Sequence, residues 1–277
     1  MEQVRQVMER VLPTRTYNSC MQKINNDNLT KLERCRMGEI IPEKVYDPPV
    51  LFDGECKCEL CGDTGYRHFY LNGHQYTEEC ECFQARRAES LIRRSGVSPD
   101  MTFRTFSVQD GFQKNLVDKA HAFIDNGFKN GEWFVISGQV GSGKTHLCTA
   151  IVNELLSKNV PCRYMMWKTE SVNLKAVINS SEFADGLKKL TQPKVLYIDD
   201  FLKTQTGYKP SAADINLAFQ ILNERYIRKM PTLLSCEISV LEIMEIDEAV
   251  GSRIYERSRN FRIHIEKDKR KNYRLRK

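Results

Sequence analysis

The segment Gly138-Gln-Val-Gly-Ser-Gly-Lys-Thr145 constrains this chain more than any other. It meets the pattern G-x-x-x-x-G-K-[ST] at every fixed position. Its flanks agree. Trp133-Phe134-Val135-Ile136-Ser137 reads as a buried strand, and His146–Leu156 reads as a helix. A strand, a glycine-rich turn and a helix N-terminus together present backbone N–H groups to an anion. Gly138, Gln139, Val140, Gly141, Ser142, Gly143, Lys144, Thr145 and His146 would surround the phosphates of a nucleoside triphosphate. Lys144 would reach the β- and γ-phosphates, and Thr145 would ligate Mg²⁺.

The rest of residues 100–277 alternates strand and helix patterns. Strands are expected at Trp133–Ser137, Pro161–Trp167, Lys194–Asp199, Thr232–Cys236 and Phe261–Ile265. One helix is expected over Asp214–Lys229, with Ile215, Ala218, Phe219, Leu222 and Tyr226 on its apolar face. Another starts at Ser239 with the capping box Ser239-x-x-Glu242 and runs to Arg257. This alternation predicts an α/β fold with a central parallel sheet of five strands and helices on both faces. Ligands of such sheets sit at the carboxyl ends of the strands, where the glycine-rich loop falls.

Val195-Leu-Tyr-Ile-Asp-Asp200 supplies the second half of that site. Four apolar residues would deliver Asp199 to a strand end, opposite Thr145, to hold Mg²⁺. Asp200 would orient or deprotonate an attacking water. Most ATPases of this design carry Glu there, and Asp is one methylene shorter. The strand Thr232–Cys236 would bring Ser235 or Glu237 towards the γ-phosphate as its sensor. Arg253 and Arg257, four residues apart, share a helix face. They read either as an ordinary surface pair or as arginines acting on a neighbouring subunit's nucleotide.

Five of the ten cysteines, Cys56, Cys58, Cys61, Cys80 and Cys82, crowd one short segment. The N-terminus is acidic at Glu2 and has no apolar core of a secretory signal, so a reducing cytoplasm is expected and metal is favoured over disulfides. Cys58-x-x-Cys61 and Cys80-x-Cys82 make two ligand pairs for a closed, structural Zn²⁺ site. Cys56 competes as a ligand, since Cys-Lys-Cys would pair with Cys-Glu-Cys. An iron–sulfur cluster is the minor alternative.

The order along the chain suggests three parts: residues 1–50, helical; 51–99, the cysteine module and a basic linker helix; and 100–277. Val4, Val7, Met8, Val11 and Leu12 share a helical face that Pro13 ends, and Thr30-x-x-Glu33 starts a second helix. The apolar faces of these helices need either the rest of the chain or another protein. The chain has 277 residues and a net charge of +6, concentrated in Lys267, Lys269, Arg270, Lys271, Arg274, Arg276 and Lys277. Such a tail neutralises nucleic-acid phosphates or is a solvated, frayed terminus. Arg93-Arg94 and the stretch from Lys203 to Lys209 are further phosphate-tracking candidates. No run approaches 18 apolar residues, so no membrane helix is expected.

Taken in order, GQVGSGKT, VLYIDD, INLAFQILNERY, PTLLSCEIS, GSRIYER and NYR resemble the AAA+ ATPase domain of bacterial helicase loaders of the DnaC/DnaI group. The segment is also similar to the transposition helper ATPase IstB. The likeness covers roughly residues 100–277 and includes Phe103 and Phe106 ahead of the first strand. It implies a short AAA+ domain without a C-terminal lid, with Arg253 and Arg257 acting in trans between self-associated ATPase domains. It also implies ATP as the nucleotide. Residues 1–95, with a cysteine knuckle like that of DnaI-type loaders, would grip a replicative hexameric helicase, and the ATPase would handle single-stranded DNA. Glu237 departs from the Asn that many relatives carry at the sensor position. This leaves open an IstB-like helper, or a slowly hydrolysing nucleotide-gated DNA-binding protein.

Overall fold

The structure is a computed structural model, and it describes residues 45–46, 57–71, 74–109, 111–204 and 209–275. The helices expected around Val4–Leu12 and after Thr30, and the candidate ligand Cys56, lie outside these residues. So do Gln205–Tyr208, Arg276 and Lys277. The chain divides into two compact units after Ser90.

The first unit holds a three-stranded antiparallel sheet of β1 (Val45–Tyr46), β2 (Tyr66–Leu71) and β3 (His74–Glu79), in that order. Phe69 is its buried centre, with the rings of Tyr46 and Tyr76 at 5.5 and 5.6 Å. The pairing Leu71↔His74 joins the facing ends of β2 and β3. The cysteine spacing predicts a metal site in this stretch but no sheet. Cys58 and Cys61 precede β2, Cys80 follows β3, and Cys82 lies in the first turn of α1 (Glu81–Ser95). Gly96, at φ +83°, follows the last residue of that helix.

The second unit begins at Leu91, in the last turns of α1, and continues with α2 (Gly111–Ala122) and a π-helical turn, Phe123–Gly127. There follow β4 (Trp133–Gly138), α3 (Lys144–Ser157), β5 (Cys162–Met166), α4 (Trp167–Ala176), α5 (Ser181–Thr191), β6 (Val195–Asp199), α6 (Ala212–Ile227), β7 (Thr232–Ser235), α7 (Val240–Ile246), α8 (Glu248–Arg257) and β8 (Arg262–Ile265). The five strands β4–β8 form one parallel sheet in the order β5-β6-β7-β4-β8. All five expected strands are present, with ends shifted by a residue or two. The chain leaves β4 for β5, with two strands between them, and returns to the other side of β4 only with β8. That reversal makes the carboxyl end of β4 a topological switch point.

Alternate residues of the strands feed opposite cores, as parallel strands buried on both faces must. Phe134, Ile136, Val195 and Tyr197 pack with Leu147, Ile151 and Leu155 of α3. Trp133, Val135, Leu196 and Ile198 pack with Leu217, Ile221, Val250 and Ile254 of α6 and α8. After β8 the described residues form two short 3₁₀ turns rather than helices.

Two expectations need correction. The helix from Ser239 to Arg257 is two helices. Ser239 caps α7 with Glu242 in the expected capping box, but Asp247 then takes an extended conformation (φ −153°, ψ 113°). Its carboxylate accepts the Val250 N–H at 2.7 Å and so caps α8. Gly251 lets the pair fold tightly, because a Cβ there would stand 2.4 Å from the Met244 backbone. The buried face of α6 is also turned from the expected one: Ile215, Phe219 and Tyr226 flank it, and Arg225 lies inside it, fully buried. Arg225 donates to Thr232 Oγ1 (2.9 Å) and to the carbonyls of Leu190 (3.1 Å), Pro193 (3.0 Å) and Pro231 (2.6 Å). Burial lowers its pKa to about 9, so it stays charged at neutral pH and staples the chain ends around β6 and β7.

Candidate functional site

The loop after β4 turns through Gly138 (φ +103°), Gly141 (φ +75°) and Gly143 (φ +86°). These are left-handed conformations that glycine adopts without strain. Space forbids side chains as well. A Cβ on Gly138 would stand 2.1 Å from Ile265 O, and one on Gly141 would stand 2.2 Å from Asn272 Oδ1. Ser142 donates to Gln139 O at 2.6 Å and tightens the turn, while Val140 stays exposed. Gly143 is the N-cap of α3, so the first N–H groups of that helix open onto the loop.

Lys144 is buried, and its Nζ donates to Gly138 O and Gln139 O, both at 2.7 Å. Burial is the main cause lowering its pKa, with Glu237 and Asp200 acting in the opposite direction. His146 turns its side chain away from the loop. Its Nε2 meets Thr102 O at 3.0 Å and Thr105 Oγ1 at 3.2 Å, with the Phe106 ring edge-on. Phe103 stacks near His121 at 4.3 Å. Both aromatic residues ahead of β4 therefore pack onto the second unit, and only Phe106 reaches the glycine-rich loop itself.

Asp199 ends β6 as a buried carboxylate ringed by hydroxyls. Its Oδ1 accepts from Thr145 (3.0 Å), Tyr197 (2.7 Å) and, in a short bond, Ser235. Its Oδ2 accepts from Tyr164 at 3.2 Å. Burial first, and the negative charge nearby, push both phenols' pKa values up, so both stay neutral donors. Thr145 and Asp199 together could hold a divalent cation at the loop's mouth. The sequence reading missed the two tyrosines. Tyr197 was legible, since residues i and i+2 of a strand share a face.

Asp200 sits at φ +53°, its N–H directed at Ser235 Oγ (3.3 Å). Its carboxylate pairs with Lys203 Nζ at 3.0 Å, and the same ammonium pairs with Glu237 at 2.8 Å. Ser235 thus contacts both aspartates, whereas Glu237 is held by a cation. Burial opposes the charge on Lys203, but hydrogen bonds to Glu237 and Asp200 outweigh it and raise its pKa.

Among the described residues, the C-terminal segment packs against the loop, which speaks against the frayed terminus of the two alternatives. Tyr273 N–H donates to Gly141 O at 2.8 Å, and its hydroxyl donates to Ser107 O at 2.8 Å. Asp268 N–H donates to Gln139 Oε1 at 2.7 Å. The Arg270 side chain stays exposed. Arg253 and Arg257 lie on α8 against their own chain. Arg253 donates to Asn223 Oδ1 (3.0 Å) and Ala249 O (2.7 Å), and Arg257 donates to Tyr226 O (2.9 Å).

In the first unit, the sulfurs of Cys58, Cys61, Cys80 and Cys82 all lie within 4.8 Å of one another. The closest pairs are Cys61–Cys82 at 3.3 Å and Cys58–Cys80 at 3.7 Å. Tetrahedral Zn²⁺ with Zn–S of about 2.3 Å requires S···S of about 3.8 Å. The donor set fits. Gly62, Asp63 and Gly65 take positive φ to turn the knuckle, and Gly65 N–H donates to Cys61 Sγ at 3.4 Å. Burial resists ionisation of Cys61, yet that N–H and the neighbouring thiols bring its pKa to about 7. Arg86 adds a second donor, to Cys82 Sγ at 3.4 Å.

The family described as IstB-like ATP binding protein matches residues 63–277. The chain belongs to that family. Among curated relatives it is 34% identical over 215 residues to the uncharacterized protein YqaM of Bacillus subtilis, covering 72% of this chain and 67% of that one. It is 27% identical over 181 residues to the replicative helicase loader DnaC of Escherichia coli, covering 64% of this chain and 71% of that one. Among solved structures, the DnaC helicase loader superposes with a TM-score of 0.51 at 18% identity, covering 61% of this chain and 97% of that one. The fold is therefore that of an AAA+ domain. No helix among the described residues is long and apolar enough to cross a membrane.

Proposed function

We propose that this protein is an ATP-dependent helicase loader, which binds a replicative hexameric helicase and delivers it to single-stranded DNA in the cytoplasm. The observation that carries the reading is the Thr145–Asp199 contact beside Lys144, in a chain related to a named helicase loader. Lys144 and the loop N–H groups bind the β- and γ-phosphates of ATP, and Thr145 and Asp199 hold Mg²⁺, which supplies charge neutralisation when bound. A water attacks the γ-phosphorus, the bridging oxygen leaves with its electron pair, and Asp200 accepts the proton. Ser235 senses the γ-phosphate through its bond to Asp199.

Residues 1–50 supply the partner-binding part, 51–99 a zinc-stapled module, and 100–277 the ATPase. Zn²⁺ on Cys58, Cys61, Cys80 and Cys82 is structural, since four thiolates leave no open position. Arg253 and Arg257 reach a neighbouring subunit's nucleotide when ATPase domains associate, which requires them to leave the intrachain contacts described above. Arg93, Arg94 and the basic residues 267–274 track DNA phosphates. ATP hydrolysis measured with and without single-stranded DNA tests this reading. Stimulated turnover that Lys144→Ala abolishes supports it; absent turnover in both conditions argues against it.

A second reading, an IstB-like transposition helper, is favoured by the family description. Its partner would be a transposase. The Lys203–Asp200 pair favours slow turnover in either case.

A further inference from the structure

The turn after β6 is fixed more tightly than a surface loop requires. Asp200 and Leu202 both take positive φ, at +53° and +55°. Phe201 and Leu202 are buried, and the Phe201 ring packs edge-on against Trp167 at 5.1 Å. Phe201 N–H donates to Ser235 O at 2.8 Å, tying the turn to the tip of β7. Non-glycine residues adopt such conformations only where their surroundings enforce them. The turn aims Lys203 between Asp200 and Glu237, 3.0 and 2.8 Å from their carboxylates.

The charges around this point do not balance for a site that takes a triphosphate. Asp199, Asp200 and Glu237 bring three carboxylates to the strand ends, and Glu237 and Asp200 lie close enough to act on the Lys144 ammonium. Two carboxylates beside a γ-phosphate would repel it. Lys203 is the cation that answers both.

We propose that Lys203 is a positioning residue for triphosphate recognition: by pairing with both Asp200 and Glu237 it offsets half of the negative charge that they set in front of the γ-phosphate. This rests on the ATP reading above. The γ-phosphate then meets Lys144 and two carboxylates bridged by a cation instead of two bare ones. ADP, which ends at the β-phosphate, is indifferent to Lys203. The cluster therefore sets the preference for ATP over ADP, and Glu237 becomes tolerable where a neutral sensor residue would otherwise stand.

The test is a titration of the full chain, with Mg²⁺, by fluorescently labelled ADP and a slowly hydrolysed labelled ATP analogue. Lys203→Met is expected to weaken the ATP analogue about tenfold and ADP by no more than about twofold. Lys203→Arg should keep the wild-type preference. Adding Glu237→Gln to Lys203→Met should recover most of the lost affinity, a rescue that a merely structural lysine would not show. An unchanged ATP-to-ADP ratio in Lys203→Met overturns the proposal. So does an equal loss of both ligands that Glu237→Gln fails to repair. A wild-type chain that binds neither nucleotide would contradict the ATP reading itself, and the proposal with it.

Discussion

The Thr145 hydroxyl donates to Asp199 Oδ1 across 3.0 Å, joining two residues 54 positions apart in the chain. The contact exists because β4 and β6 end on the same side of one parallel sheet, with β7 between them. It brings the loop's last residue and the strand's carboxylate to one cation-sized point. Asp199→Asn keeps the shape and removes the charge. ATP hydrolysis should fall by about 10²-fold or more while the fold is retained. Steady-state turnover together with a circular dichroism spectrum checks this.

The phenol of Tyr197 gives Asp199 one of its four hydroxyl donors from inside the core. Tyr197→Phe should cost about 1–2 kcal/mol of stability, because a buried carboxylate loses a partner. The magnesium concentration needed for nucleotide binding should rise as the carboxylate gains freedom. Denaturant unfolding and a magnesium titration read the two effects separately.

Much of this site was legible in the sequence because its spacing is set by backbone geometry. The glycines of the loop answer to φ and to close approach at Ile265 and Asn272. Asp199 and Ser235 answer to where strands end. What escaped reading depends on tertiary contact. Asp247 looks like any helix residue until its extended backbone breaks α7 from α8. Arg225 satisfies a helical pattern poorly, yet it is buried because carbonyls at the ends of α5, β6 and β7 meet its guanidinium. The basic tail left two readings open, a phosphate-binding segment or a frayed end, and the contacts of Tyr273 and Asp268 with the loop show its described part packed. The β2–β3 hairpin is a different case: Asn72-Gly73 is a hairpin signal in the sequence that the cysteine pattern overshadowed.

The four-sulfur cluster predicts a metal content. The purified chain should carry one equivalent of zinc by elemental analysis, and Cys61→Ser should lower that content and make residues 57–90 sensitive to protease. Loss of zinc to a chelator should unfold this unit while nucleotide binding by the second persists.

Acid should weaken the second unit at one identified place. Burial works against ionisation of Asp214, but Lys175 and the Ser211 capping box outweigh it and lower its pKa below the usual 3.8. The folded value lies below the unfolded one. Its contribution to stability is therefore present above 3.8 and is lost as pH falls through the folded value. Asp214→Asn should remove this contribution at neutral pH and flatten the acid limb of a stability–pH curve. An unchanged acid limb would place that sensitivity elsewhere.

The most direct measurement of the central claim is the mass of the assembly formed when the purified chain meets the replicative hexameric helicase of its host, with and without ATP. A defined helicase complex that gains order or subunits with ATP is the expected result. Lys144→Ala should still bind the helicase but no longer respond to the nucleotide. Absence of any complex between wild-type chain and helicase, under conditions where the chain binds ATP, would contradict the claim.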